Sequence, residues 1–118
     1  MRSLLTSFAL LSVATPAGAM PFFATASWYG PGFHGNRTAN GEVYNQWADT
    51  VAHKTLPFGT RVKVTNPANG KWLIVRVNDR GPYWGRRQFD LSRGAAAKLG
   101  IVRQGIADLK FEILKEVN

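Results

Sequence analysis

Two runs in the middle of the chain alternate with a period of two around Asn66-Pro-Ala-Asn-Gly70. In Thr60–Thr65, Val62 and Val64 fall on one face, with Arg61 and Lys63 on the other. In Lys71–Val77, Leu73, Val75 and Val77 oppose Trp72, Ile74 and Arg76. Successive side chains of a strand point to opposite faces, so this pattern specifies β-structure with one buried face. Asn69-Gly70 tolerates the positive φ that hairpin turns demand. The pair of runs therefore predicts an antiparallel hairpin, and the remaining chain must cover its apolar side. Asp108–Leu114 repeats the alternation, with Leu109, Phe111 and Ile113 opposite Lys110 and Glu112. Ala24–Tyr29 is a further short strand. One helix is expected at about Ser92–Leu99, with Asp90 as a helix N-terminal residue, alanines inside and Gly100 as the stop. Gly30–Pro57 and Asn78–Phe89 carry no clear period and are expected as long loops, which in small domains are commonly functional. Short strands, one helix and Gly-rich loops together predict an all-β fold, a small closed barrel.

The first nineteen residues have a different design. Arg2 precedes an apolar run from Leu4 to Val13, and Ala17-Gly18-Ala19 ends it. A positive start, an apolar stretch and small residues at the end are the parts of a secretory signal peptide. Residues 1–19 are thus expected to be a leader, and residues 20–118 one domain. The apolar run is too short to span a membrane. The chain has no cysteine, which excludes disulfides, thiolate metal sites and a cysteine nucleophile. It also excludes a lipid anchor on an N-terminal thioether. The expected location is periplasmic or extracellular. The formal net charge of +8 predicts an anionic partner. Export makes that partner an envelope polymer, not nucleic acid.

The unpatterned segments hold most of the chemistry. Glu42, Asp49, Asp79 and Asp90, four of the seven acidic residues, lie in or beside them. Carboxyl pairs commonly cut glycosidic bonds, one of them kept protonated to donate to the leaving oxygen. A nearby histidine such as His53 can orient a carboxylate or move a proton. Trp28, Tyr29, Phe33, Tyr44, Trp47, Tyr83 and Trp84 could offer flat faces to sugar rings. His34 and His53 are too few for a metal site, and no metal or organic cofactor is implied.

Six strings occur in order: Ala26-Ser-Trp-Tyr-Gly30, Thr38-Ala-Asn-Gly-Glu42, Ala52-His-Lys-Thr-Leu-Pro-Phe-Gly-Thr60, Arg61-Val-Lys-Val-Thr-Asn66, Val77-Asn-Asp-Arg-Gly-Pro82 and Asp90-Leu-Ser92. Together they resemble the RlpA (rare lipoprotein A) family of bacterial envelope proteins, over roughly Ala24 to Leu114. The resemblance implies a six-stranded double-psi β-barrel, a fold shared with expansins. It also implies lytic transglycosylase activity on peptidoglycan strands stripped of stem peptides, leaving 1,6-anhydro-muramic ends. By the family's motifs, Glu42, His53 and Asp79 are the catalytic residues. Asp79 is expected as acid and base, Glu42 as a stabiliser of positive charge or its substitute, and His53 as a hydrogen-bond partner of the acid. Trp28, Tyr29, Tyr44, Asn45 and Arg80 are the expected substrate-binding residues. The family places an aspartate where this chain has Asn45, and an amide cannot ionise. The alternative reading is an expansin-like module that grips the glycan without cleaving it. Peptidoglycan is the expected partner, with other cell-division or envelope proteins beside it.

Overall fold

The computed structural model describes residues 20–114; the leader read in residues 1–19 lies outside that range. The alternating runs become strands β3 (Arg61–Thr65) and β4 (Trp72–Asp79), paired antiparallel as expected. Val62, Val64, Leu73, Val75 and Val77 are buried. The turn between them also serves a neighbour: the Asn66 and Asn69 side-chain amides donate to the Leu99 carbonyl at 2.8 and 3.1 Å. The helix α1 (Arg93–Leu99) thereby has an otherwise orphaned terminal carbonyl satisfied.

Strands β1 (Phe22–Tyr29), β2 (Thr50–His53), β5 (Phe89–Ser92) and β6 (Ile106–Ile113) complete a closed six-stranded barrel in the order β1-β5-β2-β4-β3-β6. Closure leaves no strand edge open. The β1–β5 and β2–β4 pairs are parallel and the others antiparallel. The interior mixes small and large residues. Ala26 pairs with Phe89, and the Phe89 ring stacks on Phe111 at 3.9 Å between centroids.

Two expectations are corrected. The segments Gly30–Pro57 and Asn78–Phe89 are not loops throughout, because β2 lies in the first and β5 begins at the end of the second. Each has only four residues, too few for a period to register. Asp90 is not at the helix start. It lies in β5, where Phe89 and Leu91 are buried on the other face. The N-cap is Ser92, whose Oγ accepts from the Ala95 amide at 3.1 Å.

Gly94, inside the first turn of α1, is fixed by a close approach. Its amide donates to the Gln46 carbonyl at 2.7 Å. A Cβ there would meet the Trp47 backbone, with Cα at 2.9 Å. Gly94→Ala ordinarily improves a helix; here it is expected to cost roughly 1–3 kcal/mol through overpacking. Urea denaturation of the purified variant measures this, and a stabilised variant would show that the 46–48 backbone yields freely.

Candidate active site

The strands meet at one level in a row of four residues. Asp79 of β4 pairs with Ala52 of β2, Ala52 with Asp90 of β5, and Asp90 with Ser27 of β1. The β2–β4 register shifts between Val51 and Ala52: Val77 pairs with Val51 and Asp79 with Ala52. Asn78 is the extra residue. Such a bulge re-aims the next side chain, and here that side chain is Asp79. Ala52, Asp79 and Asp90 line a cleft of about 280 Å³, and Arg80 and Arg87 line it with them. Tyr29, Phe33, Tyr83 and Trp84 also contribute to its walls. Tyr83 and Trp84 are 68% and 79% exposed, so their faces are available to a ligand.

Asp79 is held by donors. Oδ1 accepts from the Ala39 and Arg80 amides, each at 2.9 Å, and Oδ2 accepts from the Tyr29 hydroxyl at 3.3 Å. Burial and the Asp79 charge push the Tyr29 phenol far above its ordinary range, so it remains a donor. Tyr44 lies behind it, stacked on Tyr29 at 4.7 Å with its hydroxyl donating to the Tyr29 carbonyl. Burial pushes the Tyr44 phenol up to about 12. At 2% exposure, Tyr44 has no surface for sugar and acts as a wedge, against the sequence expectation.

Glu42 is placed outside the cleft lining. Its carboxylate forms a fork with Arg76, at 2.6 and 3.1 Å, and accepts from Asn40 and Asn78 at 3.0 and 3.2 Å. The Arg76 hydrogen bonds lower its pKa to about 2, leaving it no proton to donate near neutral pH. The fork therefore holds it as an anion, the form that can stabilise positive charge but does not donate a proton. It pins the 38–42 turn to β4, and that turn presents the Ala39 amide to Asp79. Glu42→Gln is expected to loosen this turn and to lower any turnover in the cleft between about 10- and 100-fold. An unchanged product yield would dissociate the turn from catalysis.

His53 also differs from expectation. Its Nδ1 accepts from the Thr55 and Leu56 amides at 3.1 and 3.0 Å, and its ring lies 4.8 Å from Phe89. Among the described residues it makes no hydrogen bond to Asp79. Its connection to the cleft is indirect: the Arg80 guanidinium donates to the His53 and Leu56 carbonyls and stacks on Phe58 at 3.9 Å. Burial, then Arg80 and Lys54, lower the pKa of the imidazole. The unfolded chain, with a histidine pKa near 6.5, thus takes up the proton first. Stability is therefore expected to fall as pH drops below about 6.5, and less so in His53→Asn. Melting temperatures of both proteins between pH 7.5 and 5 test this; parallel curves would remove His53 as the cause.

Trp28 packs against the core and donates through Nε1 to the Val102 carbonyl at 3.2 Å. Asn45 lies outside the cleft lining, its Oδ1 accepting from the Trp47 amide at 3.0 Å. Of the eight expected site residues, the cleft gathers Tyr29, Asp79 and Arg80. It adds Asp90 and Arg87. Burial raises the Asp90 pKa above its ordinary value, while the Ser27 hydrogen bond and Arg87 oppose the rise and the Asp79 charge adds to it. In Phe89-Asp-Leu-Ser92 the aspartate does lie between two apolar residues, but four residues are too short a run to be read as a strand from the sequence alone.

A family model described as lytic transglycolase matches residues 23–111. The chain belongs to that family, the family of the RlpA proteins. A Synechocystis protein named "Probable endolytic peptidoglycan transglycosylase RlpA" is 61% identical over 90 residues, covering 76% of this chain and 28% of the relative. The endolytic peptidoglycan transglycosylase RlpA of Campylobacter jejuni is 55% identical over 89 residues, 75% of this chain and 32% of its own. This chain thus spans less than a third of either relative. Among solved structures, an expansin of Clavibacter michiganensis superposes with a TM-score of 0.66 at 24% identity, over 84% of this chain and 52% of that one. The Streptomyces papain inhibitor superposes at 0.67 and 24%, over 84% and 98%. At such identities the two neighbours establish the double-psi barrel fold alone.

Proposed function

We propose that this RlpA-family domain is a lytic transglycosylase that cuts peptidoglycan glycan strands and leaves 1,6-anhydro-muramic ends. The observation that carries the reading is the carboxylate of Asp79, fixed by three donors in a cleft walled by exposed aromatic rings. Every partner of Asp79 donates to it, so the group is presented as an acceptor. It takes the proton of the muramic C6 hydroxyl, and that oxygen closes onto C1. No water is consumed. Tyr83 and Trp84 supply stacking faces for the pyranose rings. Arg87 favours strands stripped of stem peptides, since removal of the peptide exposes an anionic lactyl carboxylate. Residues 1–19 act as an export leader, which brings the domain to its polymer in the periplasm or outside the cell.

The test is incubation of residues 20–118 with peptide-free glycan strands, read by mass spectrometry. Anhydro-muramic products support the enzyme. Co-sedimentation with glycan and no product would make it an expansin-like binder. Cell fractionation reads the location.

A further inference from the structure

We propose that Asp90 is the proton donor of the cleft, the carboxylic acid that protonates the glycosidic oxygen, while Asp79 receives the proton of the C6 hydroxyl. This rests on the transglycosylase reading and assigns a second catalytic residue within it.

The geometry comes from the barrel. Asp79 and Asp90 both pair with Ala52, from its two sides. Adjacent strands lie about 4.8 Å apart, so the two aspartate backbones stand roughly 10 Å apart. The residue between them on the intervening strand is Ala52, with the smallest side chain that carries a Cβ. Both carboxyls and Ala52 line the same cleft, so a glycosidic linkage lying over Ala52 has one carboxyl on each side.

The hydrogen bonds then separate the roles. Arg87 Nη1 donates to Ser27 Oγ at 2.8 Å. A guanidinium has no acceptor, so the Ser27 oxygen must accept there and turn its own proton elsewhere. That proton goes to Asp90 Oδ1, at 2.9 Å. Oδ1 is therefore an acceptor, which leaves Oδ2 as the oxygen that can carry a proton. Among the described residues Oδ2 has no hydrogen-bond partner, so it is open to the cleft side for a proton to be held and given. Asp79, by contrast, accepts at both oxygens. Burial favours the neutral form of Asp90. The charged groups facing it across the cleft are Asp79, Arg80 and Arg87, with the Tyr29 phenol beside them.

The step balances within the site. Asp90 gives its proton to the linking oxygen, the C1–O bond breaks, and its electron pair leaves with the N-acetylglucosamine hydroxyl. The C6 oxygen bonds to C1 and its proton passes to Asp79. Asp90 is left ionised, met by the Ser27 hydroxyl and the Arg87 charge behind it. Exchange with solvent moves the proton from Asp79 back to Asp90.

Wild type, Asp79→Asn and Asp90→Asn are compared on peptide-free glycan strands for anhydro product and for co-sedimentation. Asp90→Asn is expected to lose at least about 100-fold in turnover while still sedimenting with the glycan. A carbon-13 NMR titration of the wild-type aspartates is expected to place Asp90 above the ordinary value of about 3.9. An active wild type with an equally active Asp90→Asn would overturn this role and leave the transglycosylase reading intact. So would an Asp90 carboxyl that titrates at or below the ordinary value. A wild type that makes no product would overturn both.

Discussion

Asp79→Asn is expected to yield a folded domain whose product formation falls at least about 100-fold below wild type, within the 10²–10⁴ range of general acid–base catalysis. The fold survives because the amide is nearly isosteric and its polarity fits the site. The Ala39 and Arg80 amides both donate to Oδ1, which the asparagine carbonyl oxygen replaces. The new NH₂ group then faces the Tyr29 hydroxyl, whose oxygen can accept from it. Only the ability to take a proton is lost. Because the proposed stacking on Tyr83 and Trp84 does not depend on that proton, the variant is expected still to sediment with glycan strands. The decisive measurement is the initial rate of anhydro-muramic product, with circular dichroism as the control for folding. A rate within threefold of wild type would remove Asp79 from the chemistry.

Phe89→Ala lowers stability by about 3–5 kcal/mol, the range for a large aromatic removed from a core. Phe89 is fully buried, stacked on Phe111 at 3.9 Å and near Phe22 at 6.3 Å. On one side it also supports the His53 ring at 4.8 Å. The partner opposite it in β1 is Ala26, which is too small to close the cavity. Domains of this size are held together by about 5–15 kcal/mol. The loss therefore corresponds to a fall in Tm of roughly 12–40 °C. It also loosens β5 next to Asp90, the proposed proton donor. Urea denaturation of wild type and variant gives the difference. A loss below about 1 kcal/mol would mean that the barrel collapses onto the gap.

The hairpin β3–β4, strand β6 and the stop of α1 at Gly100 were legible because each rests on local chemistry. Val62/Val64 against Arg61/Lys63 is a period of two, and Gly100 adopts a left-handed φ of 78°. Strands β2 and β5 were not legible. Each is four residues long and is stabilised by neighbours distant in sequence, β2 by β4 and β5, and β5 by β1 and β2. For the same reason Asp90 read as a helix terminus: Ser92, two residues later, is the true cap, and β5 extends up to it.

The site divides along the same line. Motif resemblance picked out Glu42, His53 and Asp79, but it carried no information on what each side chain touches. In the barrel Glu42 is captured by Arg76, a residue 34 positions away, and becomes a brace with a depressed pKa. His53 is occupied by the amides of its own turn. Tyr44 and Trp28, read as sugar platforms, are drawn inward because the small barrel needs their area for packing. An all-β domain of alternating strands, its helix stop and the residue types available for proton transfer could be read from the chain, since these follow from periodicity and side-chain chemistry. Which carboxyls share the cleft emerges from the folded barrel. The pairing of Asp79 and Asp90 across Ala52 depends on barrel closure and one bulge at Asn78, and register between distant strands is written in no single segment of the chain.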